Sequence, residues 1–185
     1  YTSFQQAIAD VNGDTSAVTV SGDVDEFLSQ PAAVEDGVTT AQIPGAASGV
    51  TIQGDGDQYT ITFVNQDDSN GGTAIGNAID VQSNNDITID NLHLNSSDVI
   101  DGHIATAITA GTADNLVITN SKITDFTEES ANEGVVDLAD GDDPVINKTT
   151  FDGDTAENYN AIDVDGPVSG NGIDIDDNTI NNASQ

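Results

Sequence analysis

The chain has 185 residues, with 33 acidic side chains against 2 basic ones and a formal net charge of −31 at pH 7. This charge excludes attraction to nucleic acid or to anionic membranes, and no apolar run is long enough for membrane insertion. The chain has no Cys, Met or Trp and only 4% aromatic residues. Disulfides and thiolate metal sites are therefore excluded, and the core must be aliphatic.

The N-terminal segment predicts a short amphipathic helix. Ser3 can cap a helix that runs through Ala9, with Gln6 in the capping-box position. We expect one domain over 1–185, divided into a cap helix at 1–15, an irregular first coil at 16–49, regular coils at 50–180 and a tail at 181–185. Ala17 to Val20 is the one strand predicted in the irregular part.

The regular part is an internal repeat of about 28 residues. Ile79, Ile108, Val136 and Ile162 are separated by 29, 28 and 26 positions. Two further apolar columns follow at similar spacing, namely Ile89, Ile118, Ile146 and Ile175, and then Leu94, Ile123, Phe151 and Ile180. Self-similarity at this period is typical of stacked units.

Each repeat predicts three short strands joined by turns. Apolar and polar residues alternate, as in Ile87-Thr88-Ile89-Asp90, so each strand has one buried face. The connections are rich in Asn, Asp, Gly and Ser and leave no room for a crossover helix. Each strand can then hydrogen-bond to its equivalent one repeat later, which is a parallel β-helix. Pro144 lacks the donor that a central strand needs, so it should mark a strand start or a local irregularity.

The segments 87–94 and 116–123 resemble the right-handed β-helices of the pectate-lyase-like superfamily, and the resemblance covers about 50–180. Asn91 and Asn120 occupy one stacked turn position, where the family often has an internal Asn ladder. Lys148 and Asp177 occupy the next two equivalents, so the ladder would be two residues long. The resemblance implies a right-handed coil, and many family members cleave or epimerise acidic polysaccharides.

The acidic residues indicate a cation site. Asp80, Thr109, Asp137 and Asp163 share one outward column, and two carboxylates about 4.8 Å apart in water repel by roughly 0.9 kcal/mol. Clustered carboxylates on Gly-containing turns suit Ca²⁺. The candidate ligands are Asp55, Asp57, Asp137, Asp140, Asp142, Asp143, Asp152, Asp154, Asp163, Asp174 and Asp176. Charge density is highest from Asp140 to Asp143. A solvated acidic face, suited to high salt, would explain the same composition without any defined site.

The residues give little support for catalysis. Abstracting a proton beside a uronate carboxylate needs a base and positive charge, but the basic residues are only Lys122 and Lys148. His93, between two leucines, and His103, in a turn, both fit surface positions. We predict no catalytic residue, and whether the chain is an enzyme stays open.

The pattern favours a structural function. No helix or irregular segment follows Ile180 to cover the last repeat, which predicts an open edge. The chain would then be a segment of a longer protein or would associate head to tail as a filament. We expect a non-catalytic extracellular or cell-surface protein, such as a matrix subunit, stabilised by Ca²⁺ in saline surroundings. The alternatives are a polysaccharide-active or polysaccharide-binding β-helix and the stalk of an adhesin.

Overall fold

The structure is a computed structural model, and it describes residues 4, 8, 17–28, 41–42, 49–65, 77–82, 86–97, 106–126, 134–139, 143–153, 160–164 and 172–181. This part of the chain is nearly all β. Its strands, in chain order, are β1 (Ala17–Val20), β2 (Val24–Leu28), β3 (Ala41–Gln42), β4 (Thr51–Gly54), β5 (Tyr59–Asn65), β6 (Asn77–Gln82), β7 (Thr88–Asp90), β8 (Leu92–Ser97), β9 (Thr106–Ala110), β10 (Val117–Thr119), β11 (Lys122–Thr124), β12 (Val136–Leu138), β13 (Val145–Asn147), β14 (Thr150–Asp152), β15 (Ile162–Val164), β16 (Asp174–Asp176) and β17 (Thr179–Asn181).

The strands form three parallel sheets, and the chain visits them in a fixed order. Sheet A is β1-β4-β7-β10-β13-β16, sheet B is β2-β5-β8-β11-β14-β17, and sheet C is β3-β6-β9-β12-β15. Every third strand therefore belongs to the same sheet, and each repeat contributes one strand to each sheet. The all-β class and the parallel pairing predicted from the sequence are confirmed.

The predicted register is also confirmed. In sheet A, Ile118 lies opposite Ile89 on one side and Ile146 on the other. In sheet B, Ile123 lies between Leu94 and Phe151. The equivalent residues of sheet C pair as Ile79 with Ile108, Ile108 with Val136, and Val136 with Ile162.

The first repeat is more regular than predicted. Residues 16–49 were expected to form an irregular coil, but β1, β2 and β3 place a strand in each sheet, and β2 pairs with β5 over five residues. At the other end β17 extends to Asn181, the first residue of the predicted tail. Of the predicted cap helix only Phe4 and Ile8 are described; both have helical backbone and are buried. The rest of 1–15 and residues 182–185 lie outside the described residues.

The core is mostly aliphatic, with a small aromatic group of Phe4, Phe63 and Phe126 and one more buried aromatic residue, Phe151 on β14. The ring of Phe63 packs edge-on against Phe4, with centroids 6.1 Å apart, and lies 6.3 Å from the ring of Phe126. Ile118, Ile123 and the other inward residues of the middle repeats are 0% exposed. Burial of this apolar surface supplies the main stabilising term of the fold.

The bends at both ends of the sheet A strands have left-handed backbone. Two residues before a strand the φ angles are 57° at Asp86, 56° at Asn115 and 54° at Asp143. Directly after a strand the bend residues with positive φ are Asn91, Asn120, Lys148 and Asp177. Asn and Asp adopt this conformation more readily than most residues do, which explains their abundance in the repeats. Pro144 lies immediately before strand β13, at a strand start as predicted. Its carbonyl accepts a hydrogen bond from the N–H of Asp174 on the neighbouring strand β16, 3.0 Å away.

The predicted internal Asn ladder is wrong. Asn120 is exposed, and its Nδ2 donates to Asp90 Oδ1 of the preceding repeat at 2.9 Å. Asn91 Nδ2 likewise reaches back, to the carbonyl of Asp57 at 3.1 Å. The left-handed residue turns outward, so the buried polar column begins one position later.

That polar column runs through Ser121 and Thr149, which are buried, and Asn178, which is half-buried. Ser121 Oγ donates to the Thr119 carbonyl at 2.8 Å, and Thr149 Oγ1 donates to the Asn147 carbonyl at 3.0 Å. Asn178 accepts from the Thr149 N–H and donates to the Ile146 carbonyl. These side chains satisfy the backbone groups that the bend leaves unpaired.

Candidate functional site

The predicted calcium ligands are spread over several surfaces. Asp55 and Asp57 are exposed in the turn between β4 and β5, and Asp174 and Asp176 are exposed on β16. Asp152 is half-buried on β14, and Asp143 is half-buried in the bend before β13. Four of the residues singled out in the sequence lie outside the described residues, namely His103, Asp140, Asp142 and Asp154. Within the part of the chain that the structure describes, no three His, Cys, Asp or Glu side chains form a group that could hold a metal ion.

The predicted outward column of sheet C does exist. Asp80 pairs with Thr109, Thr109 with Asp137, and Asp137 with Asp163. Thr109 Oγ1 and Asp163 Oδ2 are both buried and have no hydrogen-bond partner. A buried polar atom without a partner costs about 1–3 kcal/mol, so this column is where a bound cation or an added donor would stabilise the fold.

Glycine packing brings the chain close to this column. A Cβ atom at Gly134 would lie 2.8 Å from the Val136 carbonyl oxygen and 2.9 Å from Asp163 Cβ, and would also meet the Asp163 amide nitrogen. Only a residue without a side chain fits this approach without displacement. Gly134 therefore helps to fix the backbone that carries Asp163.

A second polar group lies on sheet B around His93. The imidazole Nδ1 is 3.2 Å from Thr60 Oγ1, and Nε2 is 2.8 Å from Thr124 Oγ1. Thr124 Oγ1 donates to Asn95 Oδ1 at 2.6 Å, so it accepts from the imidazole Nε2–H. Thr60 then donates to the unprotonated Nδ1, and the directed chain of hydrogen bonds fits a neutral ring.

Burial and the charge of Lys122 also favour the neutral form of the His93 ring. Burial lowers the pKa of His93 from its ordinary value of 6.5, and the neighbouring Lys122 lowers it further, whereas Asp125 and Asp23 oppose the shift. Lys122 occupies the register position next to His93. The sequence predicted a surface histidine, but the ring is half-buried with both nitrogens bonded. The alternation of His93 between Leu92 and Leu94 gave no signal for this, because the partners come from other repeats.

The two ends of the stack form the third candidate surface. We call the inward residues of sheet A the A column and those of sheet B the B column. The A column is Val18, Ile52, Ile89, Ile118, Ile146 and Ile175, and the B column is Val24, Ile61, Leu94, Ile123, Phe151 and Ile180. All the middle members are 0% exposed, whereas Ile175 is 47% exposed and Ile180 is 49% exposed.

At the opposite end Val18 and Val24 are partly buried against the core, and Val20 of β1 is 6% exposed. We call β1 and β2 the N-terminal edge and β16 and β17 the C-terminal edge, because each of these strands has a single neighbour in its sheet among the described strands. Among the described residues, only the C-terminal edge combines a strand side without a strand partner with strongly exposed apolar side chains.

No family model matches the chain, and no curated protein or solved structure is significantly similar to it. The described residues include no helix with the length and apolar character that crossing a membrane requires.

Proposed function

We propose that the chain is a right-handed parallel β-helix that serves as a non-catalytic structural subunit outside the cell. In this proposal a further β layer packs on the C-terminal edge. The observation that carries it is the exposure of Ile175 and Ile180, because the equivalent side chains of the middle repeats are fully buried. The right-handed coil follows from the family resemblance described above.

The energetics of the C-terminal edge support association. About half of each isoleucine remains exposed, and covering the rest of such a side chain contributes about 1 kcal/mol. A β layer would also pair the N–H and C=O groups of β16 and β17 that no described strand pairs. A contact between two different edges does not close on itself and continues as a filament.

Calcium enters the proposal at Asp137 and Asp163. These carboxylates lie on paired strands, and the orphaned Asp163 Oδ2 is suited to a cation. The described residues provide two carboxylates and the Thr109 hydroxyl, whereas Ca²⁺ takes about six to eight oxygen ligands. Backbone carbonyls or water would have to complete the shell. Calcium is abundant outside cells, which agrees with an extracellular subunit.

The assembly test is negative-stain electron microscopy and analytical ultracentrifugation of the purified chain, in millimolar CaCl₂ and again with chelator. We expect filaments in calcium and smaller species in chelator. The matched control is Ile180→Lys, which places a charge at the exposed edge and should abolish assembly while leaving the melting temperature nearly unchanged. Monodisperse particles of the unaltered chain in both solutions would refute assembly.

The calcium test compares melting temperatures with and without CaCl₂ for two variants that each remove one charge. Asp163→Asn should reduce the increase in melting temperature that calcium gives the unaltered chain. Asp55→Asn, in an exposed turn, should keep that increase. Equal increases in both variants would favour the solvated acidic face over a defined site.

A second candidate function is polysaccharide binding on the outer face of sheet B. The observation that favours it is the group of imidazole, hydroxyl and amide side chains around His93, next to the ammonium group of Lys122. Calorimetric titration with a panel of neutral and acidic polysaccharides would detect it. Binding by a monomeric chain, weakened by Lys122→Gln, would favour this function over assembly.

A further inference from the structure

Two motifs for N-linked glycosylation lie on described strands. The motif is Asn, any residue except Pro, and then Ser or Thr. It occurs as Asn95-Ser96-Ser97 on β8 and as Asn147-Lys148-Thr149, which begins at the last residue of β13. A third motif, Asn182-Ala183-Ser184, lies outside the described residues. So short a motif is common in a chain rich in Asn, Ser and Thr, and the surroundings of each side chain therefore decide its meaning.

Both described asparagines lie on outer faces of the stack. Asn95 directly follows the buried Leu94 on β8, and Asn147 directly follows the buried Ile146 on β13. Successive residues of a strand face opposite sides of a sheet. The amide group of Asn95 is therefore on the outer face of sheet B, and that of Asn147 is on the outer face of sheet A.

The two amide groups are held in the same way. Thr124 Oγ1 donates to Asn95 Oδ1 at 2.6 Å, and Thr119 Oγ1 donates to Asn147 Oδ1. Each threonine comes from an adjacent repeat. With its oxygen bound in this way, each amide keeps its nitrogen, Nδ2, without a hydrogen-bond partner among the described residues, and neither nitrogen is buried.

The asparagines of the bends use the same nitrogen differently. Their Nδ2 atoms donate to oxygens of a neighbouring repeat, and these residues are Asn91, Asn115, Asn120 and Asn178. A sugar on such a nitrogen would compete with a contact that joins two repeats. None of the four is followed by Ser or Thr at the second position. The motif thus occurs where the nitrogen is open and is missing where the nitrogen is used.

We propose that Asn95 and Asn147 carry N-linked glycans on the exported protein. Nδ2 forms a bond to the anomeric carbon of a lipid-linked glycosyl phosphate, and the bond between that carbon and the phosphate oxygen breaks. The phosphate leaves with the electron pair, and Nδ2 gives up one of its two protons. This inference rests on the proposed function, because the motif is modified in secreted proteins.

The burial of Thr149 determines when Asn147 is modified. The hydroxyl at the third position is part of the motif, but Thr149 is 0% exposed and its Oγ1 donates to the Asn147 carbonyl at 3.0 Å. The motif is therefore hidden once the strands pair. Asn147 receives its glycan before the chain folds.

Glycans at these positions cover the sides of the stack and leave the C-terminal edge open. Asn95 and Asn147 face outward from sheets B and A, whereas β16 and β17 end the stack. Glycans are bulky and hydrophilic, so they prevent side-by-side association and permit contacts at the edge. The glycan on Asn95 also lies beside His93, because Thr124 bonds to both side chains. It would obstruct polysaccharide binding at that group.

The test is peptide mass spectrometry of the chain purified from its natural source, with fragmentation that keeps a sugar on its side chain. We expect a glycan mass on Asn95 and on Asn147. Asn115 is the internal control, since it is exposed but lacks the motif, and it should carry none. An unmodified Asn95 or Asn147 in this material would overturn the assignment at that position.

Variants produced in the same cells separate the motif from the side chain. Thr149→Val removes the hydroxyl but keeps Asn147, and it should abolish the glycan there. Thr149→Ser keeps the hydroxyl and should retain the glycan. Asn147→Gln alters only an outward side chain, so it remains informative if Thr149→Val does not fold. A glycan that persists on Asn147 in Thr149→Val would contradict the proposal.

The outcomes also separate this inference from the proposed function. Filaments built from a chain without glycans would overturn the inference and leave the structural function standing. A glycosylated chain that stays monomeric with and without calcium would overturn the assembly and leave the glycosylation standing.

Discussion

The middle and the C-terminal edge of the stack carry the same side chain in the same position but bury it to different extents. Ile118 and Ile175 belong to one column, yet Ile118 is 0% exposed and Ile175 is 47% exposed. The difference comes from the neighbours: among the described strands, Ile118 lies between two repeats and Ile175 has a single one. In a stacked protein a repeat is thus stabilised mainly by the repeats on either side of it.

The largest expected effect comes from removing the same side chain at the two positions. Ile118→Ala should lower the free energy of unfolding by about 2–5 kcal/mol, because it leaves a cavity in a packed core. Ile175→Ala should cost much less in the monomer, since half of the side chain is already solvated. Urea denaturation at concentrations too low for assembly measures both. If Ile118→Ala and Ile175→Ala lowered the free energy of unfolding equally, the side chain of Ile175 would have to be covered in solution.

A second comparison uses two glycines, one between repeats and one in an open turn. Gly134→Ala should cost about 1–3 kcal/mol, because the added methyl group meets backbone atoms of Val136 and Asp163. Gly22→Ala is the matched control, since nothing lies within 4 Å of a Cβ atom there. The same denaturation measurement applies. If Gly134→Ala left the free energy of unfolding unchanged, the strands around Asp163 would have to separate easily.

The smallest effect is a pH dependence that originates at His93. Since burial lowers its pKa in the folded chain below 6.5, the unfolded chain binds the proton more readily. Stability from the neutral ring is therefore present above about pH 6.5 and is lost as the pH falls below that value. Unfolding profiles of the unaltered chain and of His93→Gln should diverge in that range. Parallel profiles would contradict a neutral, hydrogen-bonded ring.

The sequence was sufficient to predict which residues pair in the middle of the stack. Ile89, Ile118 and Ile146 repeat at 28 or 29 positions, and this spacing alone gives their register. The 26-position spacing of Val136 and Ile162 likewise places Asp137 beside Asp163. The first repeat was harder, because β2 contains two acidic residues and β3 has only two residues, so neither has a strong pattern.

The sequence could not predict which side chains turn inward at a bend. Alternation assigns faces only along an extended strand, and the left-handed residues Asn91 and Asn120 interrupt it. The buried polar column therefore begins at Ser121 rather than at Asn120. The unpartnered Asp163 Oδ2 and the hydrogen bonds of the His93 ring could not be predicted either, because both depend on contacts between repeats.

The parallel sheets also determine how the protein responds to mechanical load. The hydrogen bonds between strands lie across the strands, and so along the direction in which the repeats are stacked. A pull in that direction acts directly on these bonds, and the strands β16 and β17, which have one neighbour each among the described strands, should detach first. A repeat of 28 or 29 residues releases roughly 95 Å of chain when extended. The stack would therefore lengthen stepwise under tension instead of breaking at once.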